Sequence, residues 1–244
     1  MLFSPQILVR NTSQVVAAAG LGLQTSCTGF WEMESTSWTD ATGNGTTLTG
    51  TGSPTTTTGK VGNGASLVAS TSYLQASHNT NIAAGGGSFS AQIWVSVSSV
   101  PGENNVFSKT LNTFGNHEWA FGARFTSANV WTFSCSNTST SFFRADDTVG
   151  LSTGTLTHLV GTYDSGTKGL TLYKNGSSVG TATLTGTLNS SASAPLNFGY
   201  SGSAISNINS TVDQAGFWKN RVLSASDVTA LYNSGNGLSW AAMA

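Results

Sequence analysis

The carboxylates that could act together in catalysis are few. Glu32 and Glu34, in the stretch WEMES, have the i, i+2 spacing that places two side chains on one face of a strand. Glycoside hydrolysis needs two carboxyl groups about 5 to 9.5 Å apart across the sugar. Asp146 and Asp147 are adjacent and would point to opposite faces of a strand. The pattern E-x-D-x-x-E, in which a strand would carry the acids of a glycosidase, does not occur. The acids therefore predict no catalytic residues and no enzyme.

The three histidines give no stronger indication of chemistry. They stand at positions 78, 117 and 158, a spacing that fits no metal site, and no G-x-S-x-G nucleophile elbow lies between a strand and a helix. We expect each histidine to be an ordinary strand or turn residue.

Carbohydrate binding needs an aromatic platform with amides and hydroxyls beside it. In SFSAQIWVSV, residues 88–97, Trp94 shares a strand face with Gln92 and with serines. Trp38 lies in a loop-like stretch, where core packing explains an aromatic side chain less easily. Trp94, Gln92 and Trp38 are therefore the predicted ligand-binding residues. The alternatives are packing within the scaffold for Trp94 and an interface for Trp38.

The composition favours a folded protein with a weakly charged surface. Of 244 residues, 38% are apolar and 8% are charged, and the net charge is −1. Seven Trp and twelve Phe supply enough apolar surface for a core. The scattered basic residues argue against nucleic acid as a partner, because phosphate binding needs clustered Lys and Arg. No run approaches the roughly 18 apolar residues of a membrane span.

Short β-prone runs, divided by Gly, Asn and Ser or Thr, predict many strands. Asn175-Gly176 predicts a hairpin turn, because both turn residues must tolerate positive φ. Alternation in HEWAFGARF places His117 on the same face as Trp119. The polar, Gly-rich stretch 47–64 is predicted to be a long surface connection. The two cysteines, at positions 27 and 135, are expected to be buried thiols, with a single disulfide as the alternative.

One short helix is predicted near the end of the chain. Ser224 and Asp227 have the spacing of a capping box, Val228 and Leu231 follow at helical spacing, and Gly235 ends the pattern. An all-β chain with one late helix predicts a two-sheet antiparallel jelly-roll sandwich.

The N-terminal segment differs from the rest of the sequence. Residues 1–26 show no alternation, and their apolar side chains are too irregularly spaced for an amphipathic helix. Polar residues precede the apolar stretch 15–23, so we do not expect a cleaved leader. We predict an N-terminal arm at residues 1–26, used for assembly or attachment, and one domain at residues 27–244.

Seven stretches, in order along the chain, resemble the laminin-G-like, concanavalin A-like lectin jelly-roll family. They are GFWEMES, DATGNGTTLTG, GKVGNGASL, SFSAQIWVSV, VFSK, HLVGTYDSGTKGLTLYKNGSSVG and TVDQAGFWKNRVLSASDVTALYNSG. No single stretch is specific, whereas the ordered set is. The resemblance implies that the hairpin at Asn175-Gly176 belongs to the scaffold, and it favours scaffold packing for Trp94. It does not extend to residues 1–26.

The resemblance also implies a cofactor. Related jelly rolls often hold one Ca²⁺ between the loop after the first strand and an acid of the last strand, and Glu34, Asp40, Asn44 and Asp213 match these positions. Carboxylate and amide oxygens are the ligands that Ca²⁺ selects. We therefore predict a structural calcium ion at these four residues. The alternative is that their side chains cap turns and bind backbone groups.

Two functions are compatible with these observations. The first is a non-enzymatic binding or structural protein on a virion surface, most concretely a phage head decoration or tail-associated protein that binds glycans. It would attach to other copies of itself or to a shell or tail protein through residues 1–26. The alternative is a secreted or cell-surface lectin or adhesin module, located outside the cell, that binds carbohydrate.

Overall fold

A computed structural model describes residues 20–99, 104–111, 117–124, 129–138, 141–200 and 209–244. Within these ranges the strands form two sheets. In each sheet, every pair of neighbouring strands is antiparallel. The predicted fold class, a two-sheet jelly-roll sandwich with one short helix near the C-terminus, is confirmed.

The eight-stranded sheet has the order β13-β12-β11-β6-β15-β4-β3, with β1 paired to β15. Its strands are β1 (Cys27–Trp31), β3 (Thr55–Thr58), β4 (Asn63–Leu67), β6 (Phe89–Val97), β11 (Thr157–Asp164), β12 (Gly169–Lys174), β13 (Ser177–Thr183) and β15 (Ser210–Lys219). The seven-stranded sheet has the order β10-β9-β8-β7-β14-β5-β2. Its strands are β2 (Thr49–Thr51), β5 (Tyr73–Ala76), β7 (Asn104–Thr110), β8 (His117–Arg124), β9 (Val130–Ser136), β10 (Phe142–Asp146) and β14 (Leu196–Phe198).

The main core lies between the two sheets. Alternation along β6 turns Phe89 and Ile93 inward, where they meet aromatic residues of the facing sheet such as Phe133. The sheets approach each other closely at Gly161, where a Cβ atom would lie 2.3 Å from the Phe133 ring. A side chain at position 161 would therefore force the sheets apart.

A second, smaller core covers the outer face of the eight-stranded sheet. Helix α1 (Ala225–Tyr232) and the C-terminal segment pack there, with Val228 and Met243 buried against Trp218. Leu23 is 1% exposed in the same cluster, and the Trp218 indole Nε1 donates to its carbonyl at 2.6 Å. The described residues 20–26 therefore belong to the sandwich, which corrects the predicted boundary at residue 26. Residues 1–19 of the predicted arm lie outside the described residues.

Local signals in the sequence specify the helix and the hairpin. The Ser224 hydroxyl accepts from Asp227 N at 3.1 Å, and the Asp227 carboxylate accepts from Ser224 N at 3.0 Å, so the predicted capping box is confirmed. Asn175 and Gly176 have φ values of 49° and 84°, as a hairpin turn between β12 and β13 requires.

The strand register corrects two expectations, and the structure also settles the state of the two cysteines. The stretch 47–64 contains β2, β3 and the start of β4 instead of a long connection, because exposed threonines pair along the sheet edges. On β8, Glu118 is skipped between the pairs Lys109–Trp119 and Thr110–His117. This bulge turns His117 to the face opposite Trp119, where the sequence had placed them together. Cys27 and Cys135 are buried free thiols.

Candidate functional site

Trp94 lies beneath the layer that closes the eight-stranded sheet. It is 2% exposed, and its ring stacks on His158 and on Tyr232 of α1, with centroid distances of 5.0 and 5.8 Å. Lys60 Nζ lies 4.8 Å from the same ring. A sugar could reach this ring only by displacing α1. The expectation of an exposed platform at Trp94 is therefore corrected, in favour of packing within the scaffold.

Gln92 and Trp38 are also buried. Gln92 donates from Nε2 to the Gln214 carbonyl at 3.1 Å, and its Oε1 lies 3.1 Å from His158 Nε2. Burial lowers the pKa of His158 to about 3, so the neutral imidazole is the donor in this pair. Trp38 is 4% exposed and packs in the main core. Neither side chain faces solvent as a binding platform would.

Two of the predicted calcium ligands meet at the loop between β3 and β4. Asp213 is fully buried, and its carboxylate accepts from the backbone N–H groups of Lys60, Val61 and Gln214 at 2.6, 3.0 and 2.7 Å. Burial raises the pKa of Asp213 to about 7, in spite of these hydrogen bonds. The Glu34 carboxylate accepts from the N–H of residue 63 at 3.0 Å in the same loop. The loop thus draws the two acids together.

The other two predicted ligands hold the turn that follows β1. The Asp40 carboxylate accepts from Phe30 N at 3.1 Å and from Thr42 N at 2.9 Å, and Asn44 donates to the Thr28 carbonyl at 3.0 Å. Across the described ranges, no group of three or more His, Cys, Asp or Glu side chains could hold a metal ion. Because backbone donors already occupy these carboxylates, the four residues do not fit a single calcium site. Calcium binding stays a prediction from the resemblance.

The carboxylates Glu32 and Glu34 line a small cleft beside Trp38. The cleft has a volume of about 80 Å³, well below the several hundred Å³ of a typical ligand site. Glu32 Oε1 accepts from Trp240 N at 2.8 Å, which ties this carboxylate to the C-terminal segment. The pair is therefore placed to hold the chain together and has no room for a sugar ring between its members.

The outer face of the seven-stranded sheet carries a row of polar side chains interrupted by one alanine, which we call the polar face. It consists of Gln75, Asn197, Ser108, Ser134 and Arg144, on β5, β14, β7, β9 and β10, with Ala120 of β8 between the two serines. Each residue alternates along its strand with residues of the main core, so its side chain points away from that core. The alternating core residues include Leu74, Phe198, Phe107, Phe133 and Ala145.

The central side chains of the polar face are buried, since Asn197 and Ser108 are 0% exposed and Ser134 is 6% exposed. The Ser108 hydroxyl donates to the Tyr200 carbonyl at 3.5 Å. Helix α1, residues 20–26 and the C-terminal segment all pack on the other sheet. Gln75, Arg144 and the two aromatic residues Tyr73 and Phe142 remain partly exposed. A ligand would therefore meet the polar face at its two ends, where these four side chains reach the surface.

Hydrogen bonds fix the side chains of the polar face. Gln75 Nε2 donates to Asn197 Oδ1 at 2.8 Å. Ser134 Oγ lies 3.0 Å from His117 Nε2. Burial, and secondarily the nearby Arg144 charge, lowers the pKa of His117 to about 3, so this imidazole is neutral. Such pre-positioned groups lose little entropy when they bind a ligand.

Aromatic rings lie at both ends of the row. Tyr73 and Tyr200 stack with centroids 4.5 Å apart and an interplanar angle of 17° near β5. Near β10, Phe142 stacks on His117 at 5.2 Å, and the Arg144 guanidinium lies 5.0 Å from the Phe142 ring centroid. Amides and hydroxyls between aromatic surfaces are the combination that binds sugars, because the rings cover apolar C–H faces while the polar groups hydrogen-bond the hydroxyls.

The sequence analysis missed this face, although a signal for it exists. In YLQA, residues 73–76, and in FFRAD, residues 142–146, polar or aromatic residues alternate with apolar ones. The alternation shows that Tyr73, Gln75, Phe142 and Arg144 share outward positions on their strands. Their assembly into one row depends on strand order, which the alternation does not specify.

A laminin G-type family model, described as the concanavalin A-like lectin/glucanases superfamily, matches residues 68–229. The match covers more than half of the chain, so the protein belongs to this superfamily, and the resemblance seen in the sequence is confirmed. A search of curated protein sequences found no match.

Solved structures with this fold include binding domains of bacterial toxins. The binding domain of Paraclostridial mosquitocidal protein 1 superimposes with a TM-score of 0.73 at 18% identity, over 87% of this chain and 53% of that one. Domain 4 of AbnA, an extracellular arabinanase from Geobacillus stearothermophilus solved with arabinotriose, gives 0.66 at 19% identity, over 84% and 97%. The binding domain of botulinum neurotoxin DC, solved with SialylT, gives 0.68 at 16% identity, over 87% and 52%.

The extent of these matches differs between the neighbours. The chain spans about half the length of the toxin binding domains and nearly all of the arabinanase domain. At these identities the similarity shows a shared fold. In the described ranges, no helix has the length and apolar character needed to cross a bilayer.

Proposed function

We propose that the protein is a non-catalytic carbohydrate-binding module that holds a glycan across the polar face. The observation that carries the proposal is the pair of partly exposed ends of this row, where Gln75 lies beside the Tyr73–Tyr200 stack and Arg144 lies beside Phe142, with buried hydroxyl and amide side chains between them. The row crosses six neighbouring strands, about 24 Å at the usual strand spacing, which matches several sugar units.

One feature of other proteins and one feature of this chain support the proposal. The arabinanase domain with nearly the same extent as this chain was solved with arabinotriose, and a toxin binding domain was solved with SialylT. The polar face also lacks a free pair of carboxylates in the described residues, since Glu32 and Glu34 lie in a separate cleft. Binding without hydrolysis is the function that this arrangement favours.

The test is a glycan array probed with the full chain and with variants of the polar face. Arg144→Gln removes a charge and its contact with Phe142, and Tyr73→Ala removes one ring of the tyrosine stack. We expect each variant to weaken glycan binding about tenfold, which is the effect of losing one stacking contact or one charged contact. Lys168→Gln, at an exposed lysine in the turn between β11 and β12, is the matched control and should bind as wild type.

The proposal fails if no glycan binds, or if both polar-face variants bind as tightly as Lys168→Gln. The unfolding midpoint of each variant, measured by circular dichroism, separates lost binding from lost folding.

Attachment to a virion surface stays a second proposal, supported by the apolar residues of the segment 1–19. Because residues 20–26 pack on the sandwich, the informative deletion is residues 1–19 alone. We expect the deletion to leave glycan binding intact and to abolish attachment to particles that lack the protein. Unchanged attachment would favour the alternative, a secreted or cell-surface lectin or adhesin module.

A further inference from the structure

A polar cleft adjoins the polar face at the edge of the seven-stranded sheet. It lies between the loop that precedes β2 and the segment that follows β5, and its volume is about 440 Å³, within the range for small ligands. Thr49 and Gln75, which are paired in register on β2 and β5, line both the cleft and the sheet surface. A glycan on the polar face could therefore continue into the cleft.

His78 supplies an oriented hydrogen-bond donor to the cleft lining. Lys109 Nζ lies 3.1 Å from His78 Nδ1 and also donates to the Ala194 carbonyl at 2.5 Å. An ammonium group can only donate, so Nδ1 must accept, and the ring proton is on Nε2. Lys109 is fully buried, so the ring is held by a rigid partner. The donor Nε2–H therefore lies on the far side of the ring from Lys109.

Positive charge surrounds this histidine. Burial is the first cause that lowers the pKa of His78, and the charges of Lys109 and Lys219 lower it further. Lys219 Nζ donates to the Thr80 carbonyl at 2.6 Å, beside the cleft. No Asp or Glu is among the lining residues. A bound anion would therefore meet lysine charges and no facing carboxylate.

The nearest acids are held by other partners. Glu118 Oε2 lies 3.9 Å from Lys109 Nζ, and Glu118 Oε1 accepts from Ala84 N at 2.7 Å. Burial raises the pKa of Glu118 to about 7 and also lowers the pKa of Lys109, so this buried pair adds little net charge. Lys219 is therefore the lysine whose charge an anion in the cleft would meet. Asp40, behind the loop, accepts from Thr46 N at 3.4 Å and is bonded to other backbone N–H groups of its own turn.

A buried hydroxyl in the cleft lining has no partner. Thr46 is 3% exposed, and its Oγ1 makes no hydrogen bond. Its backbone is fixed on both sides, since its carbonyl accepts from the Trp31 indole at 2.8 Å and its N–H faces Asp40. An unsatisfied hydroxyl in such a position costs about 1 to 3 kcal/mol unless a ligand or water completes it.

We propose that the cleft is a specificity subsite for an acidic sugar, whose carboxylate accepts hydrogen bonds from His78 Nε2 and the Thr46 hydroxyl. The rest of the glycan then extends over the polar face, so this inference rests on the proposed function. A neutral sugar presents no carboxylate to these donors and gains nothing from the charge of Lys219.

The experiment compares acidic glycans with their neutral parents by titration calorimetry on the full chain. The probes are 3′-sialyllactose with lactose, and trigalacturonic acid with its methyl ester. We expect the acidic member of at least one pair to bind about tenfold more tightly, the effect of one charge-assisted hydrogen bond. His78→Ala should remove this preference and leave the affinity for the neutral member unchanged.

Two further variants separate the donor from the charge. His78→Gln, whose amide N–H can take the place of Nε2–H, should keep part of the preference. Lys219→Gln should reduce it by a few-fold, whereas Lys168→Gln, with the same loss of charge far from the cleft, should not. Equal affinity within both pairs, or a preference that survives in His78→Ala, overturns the inference and leaves the proposed function standing. Absence of binding to every glycan of the array and to all four probes overturns both.

Discussion

Replacement of His158 by glutamine tests whether the outer face of the eight-stranded sheet is closed. His158 is 1% exposed between Trp94 and Tyr232, and burial lowers its pKa to about 3 from the usual 6.5. Below pH 6.5 the unfolded chain binds a proton at this position, and the folded protein does not until about pH 3. The contribution of neutral His158 to stability is therefore complete above pH 6.5 and is lost as the pH falls toward 3.

The size of the effect follows from this shift. Between pH 8 and pH 4 the wild-type protein should lose about 3 kcal/mol through His158 alone. His158→Gln cannot titrate, and its amide can still donate to Gln92. The variant should be about 1 kcal/mol less stable than wild type at pH 8, because it loses the ring stack, and should lose about 3 kcal/mol less on acidification.

The assay is urea unfolding of both proteins at pH 8 and pH 4, followed by tryptophan fluorescence. The difference between the two pH-dependent losses cancels the titration of all other groups. An equal loss in wild type and variant would mean that His158 titrates as if in water. In that case solvent reaches the side chains beneath α1, and Trp94 would again be a candidate for ligand binding.

Other predictions concern packing, calcium and catalysis. Gly161→Ala should destabilise the protein by about 1 to 3 kcal/mol in urea unfolding, because the new Cβ would lie 2.3 Å from the Phe133 ring; a neutral effect would refute the close approach of the sheets. Leu23→Ala should cost about 2 to 5 kcal/mol by the same measurement, and a loss below 1 kcal/mol would show that residues 20–26 are not part of the fold. If calcium binds as the resemblance implies, calcium at 100 times its Kd should raise the free energy of unfolding by about 2.7 kcal/mol, and Asp213→Asn should abolish this gain. Identical unfolding curves in calcium and in EDTA would refute calcium binding. No β-glucan hydrolysis is expected, and activity that disappears in Glu32→Gln would contradict the non-catalytic function.

Local structure could be predicted from the sequence where neighbouring residues determine it. The capping box of Ser224 and Asp227, the turn at Asn175-Gly176 and the alternation of residues 88–97 each depend on contacts within a few positions. The sandwich followed from the number of such strands and one late helix.

The candidate site could not be predicted, because it depends on contacts between distant parts of the chain. Trp94 shares its face with polar residues, as predicted, but α1 and Tyr232 cover that face. The bulge at Glu118 places His117 on the face opposite the one predicted. Alternation of residue types along a strand assumes regular pairing, so it does not reveal an inserted residue. Asn197 reaches the polar face through a strand of three residues, too short to be recognised by alternation.

The most direct test of glycan binding at the polar face is NMR chemical-shift mapping with the strongest ligand from the array. The account predicts shifts at Tyr73, Gln75, Phe142 and Arg144, with no change at Trp94. Shifts centred on Trp94 and α1, with the polar-face residues unaffected, would contradict it.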